Sequence, residues 1–92
     1  MRNLSFTVNP EAAASFHDDG VVILLTSKGR VFSSNKTGAF IWKGIEQRRS
    51  VENIVDEISS EFQIAGTTAR SHTTIFLAAL EQQSLIRKEV AS

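Results

Sequence analysis

The sequence predicts an α+β domain in which an N-terminal three-stranded antiparallel sheet is followed by three helices. Three observations carry this. The apolar run Val21-Val22-Ile23-Leu24-Leu25 meets a turn at Ser27-Lys28-Gly29-Arg30, and a short strand, Val31 to Ser34, follows. From Asn35 onward the apolar period lengthens from the two residues of a strand to that of a helix. Strands gathered first and helices second describe the α+β class rather than an alternating α/β fold.

Taken in order, Leu4, Phe6 and Val8 alternate with Ser5 and Thr7, the period of a half-buried strand. Asn9-Pro10 stops it, because proline cannot donate to a ladder. Glu11 to Phe16 reads as a turn of helix or a loop, and His17-Asp18-Asp19-Gly20 is turn chemistry. Val21 to Leu25, apolar throughout, reads as the central strand. Lys28-Gly29 suits a two-residue hairpin turn with glycine supplying positive φ. In the third strand Val31 and Ser33 share one face, and Phe32 and Ser34 the other. This strand is too polar to be buried on both faces, so it reads as a sheet edge, where a visiting peptide can add.

Asn35 or Thr37 caps a first helix through Ile45, with Ile41 and Ile45 four residues apart. Gln47-Arg48-Arg49 connects it to a second helix, capped by Ser50 and carrying Glu52 in its first turn. Val51, Ile54, Val55, Ile58 and Phe62 form the clearest amphipathic stripe of the chain. Gly66 breaks that pattern, and Thr67 or Thr68 caps a third helix. Ala69, Thr73, Phe76, Leu77 and Leu80 form its inward stripe, and Leu85-Ile86 close the core.

A chain of 92 residues is expected to make one domain, residues 1–92, and a 41% hydrophobic content supports a packed core. Ten basic and ten acidic side chains cancel, which removes the footprint of a nonspecific nucleic-acid binder. No cysteine is present, so disulfides, thiolate metal sites and a cysteine nucleophile are excluded. The start, Met1 to Thr7, lacks the apolar region of a signal peptide, and the longest apolar run is far below a bilayer span. A soluble cytoplasmic protein with no membrane partner is the expectation.

Nothing in the sequence looks catalytic, and no metal or cofactor is expected. His17 beside Asp18-Asp19 is explained by a solvated turn, in which consecutive side chains diverge. His72 lies on the third helix with no carboxylate close in sequence to make it a general base. The serines lack a nucleophile elbow, and the glycines match neither a phosphate loop nor a dinucleotide fingerprint. Three helices and a hairpin also describe a winged-helix DNA reader, the alternative class. Its third helix would offer one arginine, Arg70, while the basic group Lys43, Arg48 and Arg49 lies elsewhere, so no nucleic-acid partner is expected.

Asn35-Lys36-Thr37-Gly38-Ala39-Phe40-Ile41-Trp42 resembles the Asn-x-Thr-(Gly/Ala)-x-x-Ile-Trp element of the PqqD family. Ser50-Val51-x-x-Ile54-Val55-x-x-Ile58 and Phe76-Leu77-x-x-Leu80-x-x-x-x-Leu85-Ile86 are similar to that family's second and third helices. The match runs in the correct order over roughly His17 to Ile86. Three positions depart from the pattern: Ser34 stands where leucine is usual, His72 replaces an early acidic residue of the third helix, and Ser84 replaces a glycine before the final Leu-Ile.

The resemblance implies a winged-helix-like fold and a recognition element for ribosomally made, post-translationally modified peptides. A precursor's leader peptide would add as a strand between the third strand and the third helix, and a maturation enzyme would then act on the precursor. That enzyme is a radical SAM protein in pyrroloquinoline quinone biosynthesis and a leader peptidase in lasso-peptide maturation. Val31-Phe32 and the acid-poor third helix are more similar to the lasso-type members.

The implied peptide-binding residues are Val31, Phe32, Ser33 and Ser34 on the edge, with Arg70, Thr73, Thr74 and Leu77 on the third helix. Arg70 is expected to meet an acidic leader residue. Exposure on a solvated helix face is the competing account of Arg70 and Thr74. Trp42 reads as core packing and Asn35 as a cap.

Overall fold

Val21, Ile23 and Leu25 are buried to 2% exposure or less, while Leu24 between them stays 43% exposed, so the most apolar strand of the chain has one buried and one open face. It is the middle strand of the sheet. The computed structural model describes residues 5–89; Leu4 and the rest of the Met1–Leu4 start lie outside the described residues. Five strands and three helices are described: β1 (Ser5–Val8), β2 (Ala12–His17), β3 (Gly20–Leu25), β4 (Arg30–Ser34), α1 (Lys36–Glu46), α2 (Val51–Phe62), α3 (Gly66–Gln82) and β5 (Ile86–Glu89).

The expected three-stranded antiparallel sheet followed by three helices is present, with strand order β2-β3-β4. Its composition differs from the reading of the sequence. Most of the segment read as helix or loop, residues 12–16, together with His17, read as turn, forms strand β2, whose Ala14 and Phe16 lie opposite Ile23 and Val21. The strand expected to begin the sheet, β1, instead pairs antiparallel with β5, Phe6 opposite Lys88 and Val8 opposite Ile86. Charged Arg87, Lys88 and Glu89 hide β5 from a search by alternation, because that strand buries Ile86 alone. Asn9 fixes the junction: its backbone N–H donates to the Leu85 carbonyl at 2.9 Å and its Nδ2 to the Ser84 carbonyl at 2.8 Å.

The β3–β4 connection also differs. A 3₁₀ turn, Thr26–Lys28, ends on Gly29 at φ 61°, so glycine supplies the left-handed conformation but in a longer turn than two residues.

The helices follow their sequence signals closely. Asn35 caps α1, its side chain accepting from the Gly38 N–H at 3.0 Å, and Ser50 caps α2 by accepting from the Asn53 N–H at 3.2 Å. Helix α3 starts at Gly66 with Ala65 at the cap and no side-chain bond, so neither Thr67 nor Thr68 caps it. Ile54, Val55 and Ile58 of α2 are buried, as are Ile41, Trp42 and Ile45 of α1 and Ala69, Leu77 and Leu80 of α3. Trp42 is fully buried, and its Nε1–H donates to Glu46 Oε2 at 2.9 Å, which satisfies the polar end of an otherwise apolar ring. Burial of each such aliphatic side chain contributes roughly 1.5–3 kcal/mol.

Candidate functional site

Strand β4 pairs only with β3 among the described residues, so its outer backbone edge is open. Arg30 anchors the start of the strand to the end of α3, donating from Nη1 to Gln83 Oε1 at 3.0 Å. The register sorts the four predicted edge residues onto two faces. Phe32 lies opposite Ile23 and Ser34 opposite Val21, both on the core side; Val31 lies opposite Leu24 and Ser33 opposite Val22, on the outer side. Val31 is consequently 68% exposed.

Between the end of β4 and α3 runs an apolar groove of about 340 Å³. Ser34, Asn35, Thr37, Gly38 and Ile41 form one wall, and His72, Ile75, Phe76 and Ala79 of α3 form the other. At its margin the Phe32 and Phe76 rings meet edge to face with centroids 5.9 Å apart. Gly38 permits the close approach of α1: a Cβ there would overlap the Ser34 side chain and come within 2.9 Å of the Phe76 ring. Ile75, 66% exposed, leaves a large aliphatic side chain at the groove wall.

The α3 residues expected at this site are placed differently. Thr73 is fully buried and its hydroxyl donates to the Ala69 carbonyl at 2.7 Å, and Leu77 is 5% exposed within the core. Arg70 and Thr74 are exposed four residues apart, on a flank of the helix that does not line the groove. Arg70 is already engaged, donating to both carboxylate oxygens of Glu52 on α2 at 2.8 and 2.7 Å. The hydrogen bonds from Arg70 hold the Glu52 carboxyl below its ordinary value, and Glu52 in turn raises the Arg70 guanidinium. The groove-lining set His72, Ile75, Phe76 and Ala79 was missed. One signal was available: Ile75 is an aliphatic residue outside the inward stripe, at the helical spacing of His72 and Ala79.

Among the described residues no group of three or more histidine, aspartate or glutamate side chains is placed to hold a metal ion. No described helix is long and apolar enough to cross a membrane. The site offers an open strand edge, an apolar trough and few charges.

Fold and site together define a winged-helix-like α+β unit with a sheet edge that is unpaired among the described residues and lies beside a helix-lined groove. The chain belongs to the PqqD family: the family model described as "Coenzyme PQQ synthesis protein D (PqqD)" matches residues 20–86, well over half its length. A solved structure described as TbiB1 in complex with the TbiA(beta) leader peptide is 29% identical, with a TM-score of 0.80 over 94% of this chain and 99% of that chain. A second, described as lasso peptide synthetase B1 complexed with the leader peptide, is 22% identical, with a TM-score of 0.81 over 90% of this chain and 98% of that one, and supports the fold. No match was found among curated proteins.

Proposed function

We propose that this chain is a non-catalytic recognition protein that binds the leader peptide of a ribosomally made peptide precursor and presents it to a maturation enzyme. The whole chain acts as one binding unit. The leader adds as a fourth strand along Arg30–Ser34, held by backbone hydrogen bonds, and its apolar side chains enter the groove beside Phe32, Ile75 and Phe76. The observation that carries this reading is the open β4 edge lying against an apolar α3 groove. The likeness to TbiB1, solved with its leader peptide, supports it. The enzyme served is a lasso-type leader peptidase in preference to a radical SAM enzyme.

The DNA-reading alternative finds no support on α3, whose single arginine is neutralised by Glu52. Titration of ¹⁵N-labelled protein with the leader of the precursor encoded beside it tests the proposal. The amides of Val31–Ser34 and of Ile75 and Phe76 shift most, with micromolar to submicromolar affinity, roughly −8 kcal/mol or better. Shifts confined to Val51–Phe62, or none, would overturn it. Incubated alone with the full precursor, the purified chain leaves the precursor's mass unchanged; a processed product from contaminant-free protein removes the non-catalytic assignment.

A further inference from the structure

A second groove, of about 270 Å³, lies on the other side of α1 and belongs to no part of the proposed leader site. Three of the chain's six phenylalanines converge there: Phe16 from β2, Phe40 from α1 and Phe62 at the end of α2. Phe16 is 39% exposed, although phenylalanine ordinarily buries far more of its ring in a domain with a sufficient core. Phe40 and Phe62 are half-buried and meet edge to face with centroids 5.8 Å apart, which fixes the floor of the groove. Two exposed lysines frame it. Lys43 Nζ stands 5.0 Å from the Phe16 ring centroid, a cation–π contact that holds the ammonium over the groove, and Lys36 lines it about two turns earlier on the same face of α1. Glu61 is the one carboxylate among the lining residues. In a chain whose charges sum to zero, this groove is aromatic and carries an excess of positive charge.

Its position relative to the leader groove is set by the sheet. Phe16, Val21 and Ser34 form one cross-strand row, with Phe16 at the second groove and Ser34 at the first. Two strand spacings separate them, roughly 10 Å. α1 lies between, turning Gly38 and Ile41 to one groove and Lys36, Phe40 and Lys43 to the other. A ligand in one groove therefore leaves the other open.

We propose that the second groove docks an acidic segment of a partner protein, anchored by a phenylalanine or leucine side chain among Phe16, Phe40 and Phe62 and by carboxylates on Lys36 and Lys43. The aromatic floor supplies the buried contact area, and the lysines select charge and steer encounter.

The test uses ¹⁵N-labelled full-length protein and two synthetic peptides: acetyl-Asp-Glu-Phe-Asp-Glu-Leu-amide and its copy with lysine at every acidic position. The acidic peptide shifts the amides around Phe16, Phe40, Lys43 and Phe62 and binds at least fivefold tighter than the basic copy, with the difference shrinking in high salt. The double variant Lys36→Glu/Lys43→Glu reverses the preference. Both lysines are exposed, and a glutamate at the first residue of α1 suits the helix dipole. One at position 43, in the last turn, opposes it and gives up the Phe16 contact. The thermal midpoint therefore falls slightly, and an unchanged circular dichroism spectrum shows that the fold is kept. Equal response to both peptides, no response, or shifts centred on Ile75 and Phe76 would overturn the proposal. So would a concentration-dependent shift of the same amides without peptide, which would mark a second copy as the occupant. Tighter binding of phosphatidylglycerol vesicles than of the acidic peptide would assign the groove to a lipid surface instead.

Discussion

Phe32 and Phe76 meet edge to face at 5.9 Å, one from the open strand β4 and one from α3, and this contact joins the two walls between which a leader strand would lie. Both rings are half-buried, so each keeps an accessible face. Phe76→Ala removes the α3 half of the contact. Leader affinity is expected to fall by at least tenfold, about 1.4 kcal/mol, while the far-ultraviolet circular dichroism stays that of the wild type. Fluorescence anisotropy with labelled leader measures this, and an unchanged dissociation constant removes the contact from the binding site.

Gly38 sets the width of the same groove. Gly38→Ala places a methyl group against Ser34 and Phe76, so β4 and α3 must shift relative to α1. An alanine is otherwise favoured inside a helix by roughly 0.5–1 kcal/mol. Weakened leader binding together with a lowered thermal midpoint is the expected result. A variant that is more stable and binds normally shows that the walls yield freely.

Arg70→Ala tests the flank of α3. Glu52 has its folded value lowered by Arg70, so the pair's contribution is present at neutral pH and is lost as pH falls through that lowered value. Because both groups are well exposed, the change in urea midpoint at pH 7 is small, and it disappears once the pH lies below the lowered value of Glu52. Leader affinity is expected to stay within twofold of the wild type. A larger loss places Arg70 at the leader after all.

Ile58→Ala probes the α2 stripe. Ile58 is fully buried, and the substitution is expected to cost about 2–5 kcal/mol through lost burial and a residual cavity. The midpoint of a guanidinium titration reads it directly, and an unmoved midpoint contradicts the packing of α2.

Ser84 sits at φ 62°, in the left-handed region, at the position where the family pattern has glycine. Ser84→Gly relieves a backbone conformation that costs a side-chain-bearing residue roughly 1–2 kcal/mol, partly offset by the greater freedom of glycine in the unfolded chain. A gain of about 0.5–1 kcal/mol in unfolding free energy is expected from chemical denaturation. A loss of stability shows that the serine side chain contributes more than its backbone strain removes.

The elements legible in the sequence were those with a local signature. The β3 run, the α2 stripe and the Asn35 and Ser50 caps are each written within a dozen residues, and each appears where it was expected. Strand β2 was not legible, because Ala12-Ala13-Ala14-Ser15 carries little strand preference and becomes a strand by pairing with β3. The β1–β5 pairing joins residues about eighty positions apart, a contact no local pattern encodes. At the site, the edge strand could be read from polarity. On α3 the inward stripe could be read, and Thr73 and Leu77 are buried in it. The groove is lined instead from the adjoining face, by His72, Ile75, Phe76 and Ala79, where Ile75 is the one aliphatic sign, since each residue turns the helix by about 100°.

The pairing of β1 with β5 has a consequence for how this fold can be combined with others. Ser5 stands opposite Glu89, so the two ends of the described chain leave by a single doorway, in a ribbon that shares no strand with β2-β3-β4. A larger polypeptide spliced on at either end would hang from that doorway like a cabinet from its hinge. Such a splice would leave the β2-β3-β4 ladder itself intact, since neither end strand belongs to it.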